Sequence, residues 1–201
     1  MGKGRLEAFS DGVIAVIITI MVLELRAPHS VDLPALLEDA PAFLAYVLSF
    51  IYVAIYWNNH HHMFHLVRQV DGSILWANNF LLFCLSLVPF TTDWMGENHN
   101  ATIPVALYGF SLLLPGVAYY LLQGRLIHLQ GPHSELAAAV GWDWKGKLSP
   151  VIYIVGILAA FALPWLAELL YAVVAVIWLI PDRRIENRMR MHPRSSVDEP
   201  D

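Results

Sequence analysis

The chain has 201 residues, of which 57% are hydrophobic and only 14% charged, and its formal net charge is −5. A typical soluble domain carries roughly 25% charged residues, so this composition, with a mean hydropathy of +0.53, excludes an ordinary soluble globule and makes a bilayer the expected solvent. The modest acidity gives no reason to expect nucleic acid as a partner, and the single cysteine, Cys84, excludes an intrachain disulfide.

A helix that crosses the hydrocarbon core needs about 20 apolar residues. Segments near 6–25, 42–64, 74–94, 103–127, 148–163 and 165–180 meet or approach that length. They predict an all-α, polytopic membrane protein with six transmembrane helices over residues 1–181. A basic, then polar, tail follows at 182–201. The first segment is as long as a bilayer requires and has no small-residue cleavage site behind it, so it reads as a span and not as a secretory signal.

That first segment opens with Arg5, Phe9, Ser10, Asp11 and Gly12, and then runs uncharged from Val13 to Leu23. An arginine and an aspartate at the mouth of a membrane helix are costly unless they pair or serve a pathway. Arg5, nearly two turns from Asp11, is one candidate partner. Val16, Thr19, Ile20 and Leu23 fall at spacings of three and four and share one face with Gly12. Ile14, Ile17, Ile18 and Val22 on the other sectors are just as apolar, so periodicity does not choose a functional face. A helix that merely packs fits the same pattern.

The second segment ends in Trp57-Asn58-Asn59-His60-His61-His62, with His65 beyond. His61 and His65, or His62 and His65, have the helical spacing of a metal-chelating pair. No second ligand cluster accompanies them, and His128 and His133 stand alone, so no metal is expected. The favoured role is structural: His60, His61 or His62 donates a hydrogen bond to Asp11 or Ser10 of the first helix. The third segment places Trp76, Asn78 and Asn79 at the same membrane face. Asparagines in a lipid-embedded helix need partners, so these are read as bridges between helices. Pro89 is expected to kink this helix, Pro104 to open the fourth and Pro115 to interrupt it.

The loop at 130–144 has room for an interfacial helix. The fifth and sixth segments read as a hairpin turned at Pro164. A single helix over 148–180 is the alternative, but it would be about 50 Å long and bury Glu168. Charge placement sets the orientation. With six spans and both termini cytoplasmic, Lys3, Arg5, Arg68, Arg125, Lys145, Lys147, Arg183, Arg184, Arg188, Arg190 and Arg194 all lie inside, and Arg26 alone lies outside. The outer loops hold Glu24, Asp32, Glu38, Asp39, Asp93, Glu97 and Glu168, an excess of acid that would gather cations at an opening. The sequence has no Thr-Val-Gly-Tyr-Gly filter, no arginine-rich voltage-sensing span, no nucleotide loop and no hydrolase motif, and it calls for no cofactor or enzymatic activity.

Arg5-x-x-x-Phe9-Ser10-Asp11 at the head of a first membrane helix resembles the signature of the transmembrane protein 175 family, the endosomal and lysosomal potassium channels and their bacterial relatives. The resemblance extends over about residues 5–190. It takes in the Trp57–His62 region, the stretch from Asn79 to Phe90 and the basic end Pro181-Asp182-Arg183-Arg184. Animal members carry two six-helix repeats, whereas this chain carries one, like the bacterial members, for which the resemblance implies a homotetramer in the plasma membrane. It also implies a potassium-preferring cation channel, with K+ as the permeant ion and a pore lined by the first helices. Counting from Asp11 places the pore positions at Val16, Thr19 and Leu23, with Ile20 as neighbour. The family often has Ile or Leu where this chain has Val16. Arg5, Phe9, Ser10 and Asp11 are implied to be structural, tied to the second and third helices through the histidine and asparagine positions.

Two other classes fit parts of the sequence. One is a proton- or cation-coupled transporter using Asp11, the histidines and the asparagines; the other is a membrane-embedded metalloenzyme using His61, His62 and His65.

Overall fold

The computed structural model describes residues 2–141 and 143–179. Among them the chain forms helices α1 (Lys3–Leu23), α2 (Leu33–Glu38), α3 (Ala40–His65), α4 (Gly72–Ser86), α5 (Val88–Glu97), α6 (Thr102–Gln130), α7 (Glu135–Val140), α8 (Trp144–Ala160) and α9 (Pro164–Leu179). The expected tail from 182 lies outside the described residues. Side-chain caps fix several helix starts. Asp32, Asp71, Ser134 and Asp143 each accept the backbone N–H three residues on, at Ala35, Ile74, Ala137 and Gly146. These bonds satisfy donors that the first helical turn leaves orphaned. At Asp71 the Ile74 amide, then the Ser73 hydroxyl, holds the carboxyl below its ordinary pKa.

α1, α3, the α4–α5 pair and α6 are long and apolar enough to cross a membrane. α8 has 17 residues and α9 has 16, fewer than the ~20 of a perpendicular crossing. The third span is two helices that meet at Leu87. Pro89, the second residue of α5, has no N–H for the carbonyl four residues back, so the ladder breaks there. Pro115 behaves otherwise: α6 runs through it unbroken, so the expected interruption does not occur. α6 packs against α4, α5, α8 and α9, and proline is tolerated in membrane helices where neighbours re-satisfy the freed backbone groups. The loop at 130–144 contains α7. The short helix α2 was not foreseen, because its Leu-Pro-Ala-Leu-Leu-Glu sequence carries no periodicity beyond one turn.

α6 is the hub of the bundle. One apolar cluster joins α1, α4 and the later half of α6. A second joins the first half of α3 to α6, α8 and α9, so the α8–α9 hairpin docks on the side away from α1. Tyr171 keys this second cluster. Its ring lies between Gly109 of α6 and Gly156 of α8, and its hydroxyl donates to the Val105 carbonyl at 3.3 Å. A Cβ at Gly109 would overlap the Tyr171 phenol, and one at Gly156 would come within 2.6 Å of its Cε1. Both positions therefore require glycine for close approach. Gly109→Ala is expected to cost about 1–3 kcal/mol by overpacking and to lower the melting temperature of the detergent-solubilised protein. Tyr171→Phe keeps the ring and should cost less than Gly109→Ala.

Candidate pore helix and its polar brace

Packing breaks the all-round apolarity of α1. Leu6, Ser10, Ile14, Ile17 and Met21 are buried against the rest of the chain, at spacings of four, four, three and four. The opposite side is uncovered: Val16 is 56% exposed, Ile20 42%, Val22 45% and Leu23 75%, and Gly12 and Thr19 are exposed as well. The Thr19 hydroxyl donates to the Ala15 carbonyl at 2.9 Å. Its one proton is thereby committed to the helix backbone, and its oxygen keeps its capacity to accept.

Three helices meet at the start of α1 through a directional chain of hydrogen bonds. His60 Nε2–H of α3 donates to Asn78 Oδ1 of α4 at 2.8 Å. Asn78 Nδ2 donates to Ser10 Oγ of α1 at 2.9 Å, and Ser10 Oγ donates to the Leu6 carbonyl at 2.9 Å. All three side chains are buried, so each polar group has a partner where water would otherwise be needed. The His60 ring lies 4.4 Å from the Phe64 ring, which fixes its plane.

Asp11 is held differently from expectation. Trp57 Nε1–H of α3 donates to Asp11 Oδ1 at 3.0 Å, and no ion pair joins Arg5 to Asp11 among the described residues. Arg5 and Phe9 are exposed. The imidazole reaches Ser10 only through Asn78. The reason is helical register: Trp57 and His60, three apart, share one face of α3, and Ser10 and Asp11 are neighbours on α1, so each α3 side chain meets its own α1 partner. That i, i+3 spacing was the available signal for Trp57. His61 stacks on Trp57 and on His65, with ring centroids 6.0 and 6.5 Å away. His62 lies edge-on to His61. Asn79, next to the bridging Asn78, is exposed. Among the described residues no three His, Cys, Asp or Glu side chains converge as a metal site.

Beyond the far end of α1, Glu24, Asp39, Asp93 and Glu97 surround one recess together with Arg26. Arg26 Nη1 pairs with Glu97 Oε1 at 3.2 Å. Arg26 is thus engaged with an acid of the same recess.

The profile of the endosomal/lysosomal potassium channel family TMEM175 matches residues 5–89, the segment that supplies α1, Trp57, His60 and Asn78. Over 190 residues the chain is 52% identical to a potassium channel of Chryseobacterium sp. (strain P1-3), covering 94% of this chain and 99% of that one. This chain belongs to the TMEM175 family. It is 33% identical over 149 residues to a potassium channel of Streptomyces collinus, covering 68% of this chain and 72% of the relative. The crystal structure of a lysosomal potassium-selective channel TMEM175 homolog from Chamaesiphon minutus superposes with a TM-score of 0.77 at 29% identity, covering 90% of this chain and 97% of that one. The human endosomal/lysosomal proton channel TMEM175 is 33% identical over 134 residues, which is 64% of this chain and 26% of the human protein. Family membership and the long apolar helices make the chain an integral, multi-pass membrane protein.

Proposed function

We propose that this TMEM175 chain is one subunit of a potassium-preferring cation channel. Four copies set α1 around a common axis, six helices of each copy cross the bilayer, and both termini are cytoplasmic. The observation that carries this reading is the uncovered row Gly12–Val16–Thr19–Ile20–Leu23, opposite the buried row Leu6–Ser10–Ile14–Ile17–Met21. An exposed groove beside it, bounded by Phe9, Gly12, Val16 and Ile20 of α1 and by Pro89 and Phe90 of α5, suits the flank of an adjacent copy. The names of the bacterial relatives support potassium as the ion.

The mechanism follows from the side chains. Val16, Ile20 and Leu23, repeated in each copy, form rings that offer a cation no ligand, so it sheds water to pass. Potassium, weakly hydrated, loses less than sodium. The Thr19 oxygen, its proton already committed to Ala15, replaces part of the lost shell. Apolar rings of this kind also gate by dewetting. Val16 is smaller than isoleucine or leucine and widens its ring, so preference for potassium is modest. Glu24, Asp39 and Asp93 raise the cation concentration at the outer mouth.

The polar brace does not serve as a proton relay in this reading. Its donor chain ends on a backbone carbonyl, Leu6, which has no proton to pass on. The test is reconstitution of the purified protein into liposomes with a potassium gradient. Bi-ionic reversal potentials should show potassium preferred over sodium, and a pH gradient alone should give little current. Flux that saturates at transporter rates would refute the channel.

A further inference from the structure

α3 and α6, of 26 and 29 residues, are long enough to cross a bilayer, so their ends lie at the level of the lipid headgroups. Where their last turns meet there is a recess of about 410 Å³, bordered by Leu66, Arg68 and Gln69 after α3 and by Leu129, Gln130 and Glu135 at the end of α6 and the start of α7. We propose that this recess binds the zwitterionic headgroup of a phosphoethanolamine lipid.

Size and charge both fit. Small-molecule pockets occupy about 300–1,000 Å³. Arg68 and Glu135 bring opposite charges to the same recess: Arg68 Nη2 lies 3.9 Å from Glu135 Oε1, and the two side chains are 87% and 70% exposed. A charge-assisted hydrogen bond is nearer about 2.7–2.9 Å, so the two groups face each other without closing one. An exposed pair of this kind stabilises the fold little, and a ligand that parts it disturbs little. Phosphoethanolamine carries a phosphate and an ammonium joined by a short ethylene link. The guanidinium takes the phosphate through its fork of donors, and the ammonium donates to the carboxylate.

The rest of the lining agrees. Gln69 carries an amide N–H₂ and His133 a ring N–H, donors for the remaining phosphate oxygens. Gln130 Nε2 is buried and has no acceptor among the described residues. A buried donor left so is costly, and a turn of the amide toward the recess gives it a phosphate oxygen. Leu66 is half-buried and Leu129 is exposed, an apolar flank for the acyl chains. The same lining discriminates between lipids. The quaternary ammonium of a choline lipid has no N–H to donate to Glu135, and phosphatidylglycerol sets no positive group against it, which leaves the carboxylate beside an anion.

The test is native mass spectrometry of the full chain released from nanodiscs that hold equal parts of phosphatidylethanolamine, phosphatidylcholine and phosphatidylglycerol. Phosphatidylethanolamine should be retained about tenfold over either of the others, or about 1.4 kcal/mol. Arg68→Gln should lose this retention. Glu135→Gln should keep the phosphate contact and lose the preference, retaining phosphatidylethanolamine and phosphatidylglycerol alike. Glu7→Gln, which removes a carboxylate from the Lys3–Glu7 pair of α1, outside the recess, should behave as the wild type. Equal retention of the three lipids by the wild type, an undiminished preference in Arg68→Gln or Glu135→Gln, or its loss in Glu7→Gln would overturn the site. So would displacement of the lipid by an equal concentration of soluble glycerophosphoethanolamine, which would assign the recess to a free zwitterion. Because the readout is bound lipid, it stands apart from whether the chain conducts potassium.

Discussion

Leu23→Ser is expected to raise potassium current about tenfold and to move the potassium–sodium reversal potential toward zero, with Val16→Ser acting in the same direction. A tenfold gain corresponds to a barrier lower by about 1.4 kcal/mol. Shared among the four copies of the proposed ring, that is about 0.35 kcal/mol per side chain. This is a small demand on a change that puts a hydroxyl where an isobutyl group had stood. Leu23 is the last residue of α1 and 75% exposed, so the substitution disturbs little packing within the subunit, and a change in current reports on the passage itself. Thr19→Val provides the converse: it removes the one oxygen in the stripe and should lower current without reducing protein yield. Single-channel recording with bi-ionic potentials measures all three. Unaltered current and reversal potential in both Leu23→Ser and Val16→Ser would exclude this face of α1 as the pore lining.

The second large effect concerns stability. Asn78→Leu should destabilise the subunit by about 2–3 kcal/mol, while Asn79→Leu one residue away should have almost no effect. Asn78 is buried and makes both bonds that join His60 to Ser10. Replacing it orphans the His60 N–H in a dry interior, which costs about 1–3 kcal/mol. Helix-bridging bonds in membranes average nearer 0.6 kcal/mol each, which sets the lower end. His60→Phe combined with Asn78→Leu removes both partners and should recover part of the loss. Thermal unfolding in detergent, followed by size exclusion, measures these differences. Equal melting temperatures for Asn78→Leu and Asn79→Leu would mean that the brace contributes nothing. A variant that folds with unchanged stability but loses conduction would instead place His60 and Asn78 in the ion pathway.

Several features were legible in the chain alone. The lengths of the apolar runs gave the long helices, because a bilayer fixes how many residues a crossing takes. The Pro164 turn and the break before Pro89 follow from the missing N–H of proline. The stretch from Arg5 to Asp11 marked the end of the bundle where the polar contacts gather, since polar side chains in lipid require partners.

The choice of partners was decided by tertiary structure. On spacing alone, Asp11 could have paired with Arg5 or a histidine, and the register between α1 and α3 gave it to Trp57. It took Asn78 of α4 to carry His60 to Ser10. α6 continues through Pro115 in the company of four packed neighbours, where freed backbone groups find compensation.

The face of α1 was the largest thing left to packing. Ile14, Ile17 and Met21 do not differ in polarity from Val16, Ile20 and Leu23, and lipid is as apolar as a protein core, so hydropathy carries no signal about which side is covered. Close fit between side chains makes that distinction in a membrane. It exists only once α3, α4 and α5 have taken their places beside α1.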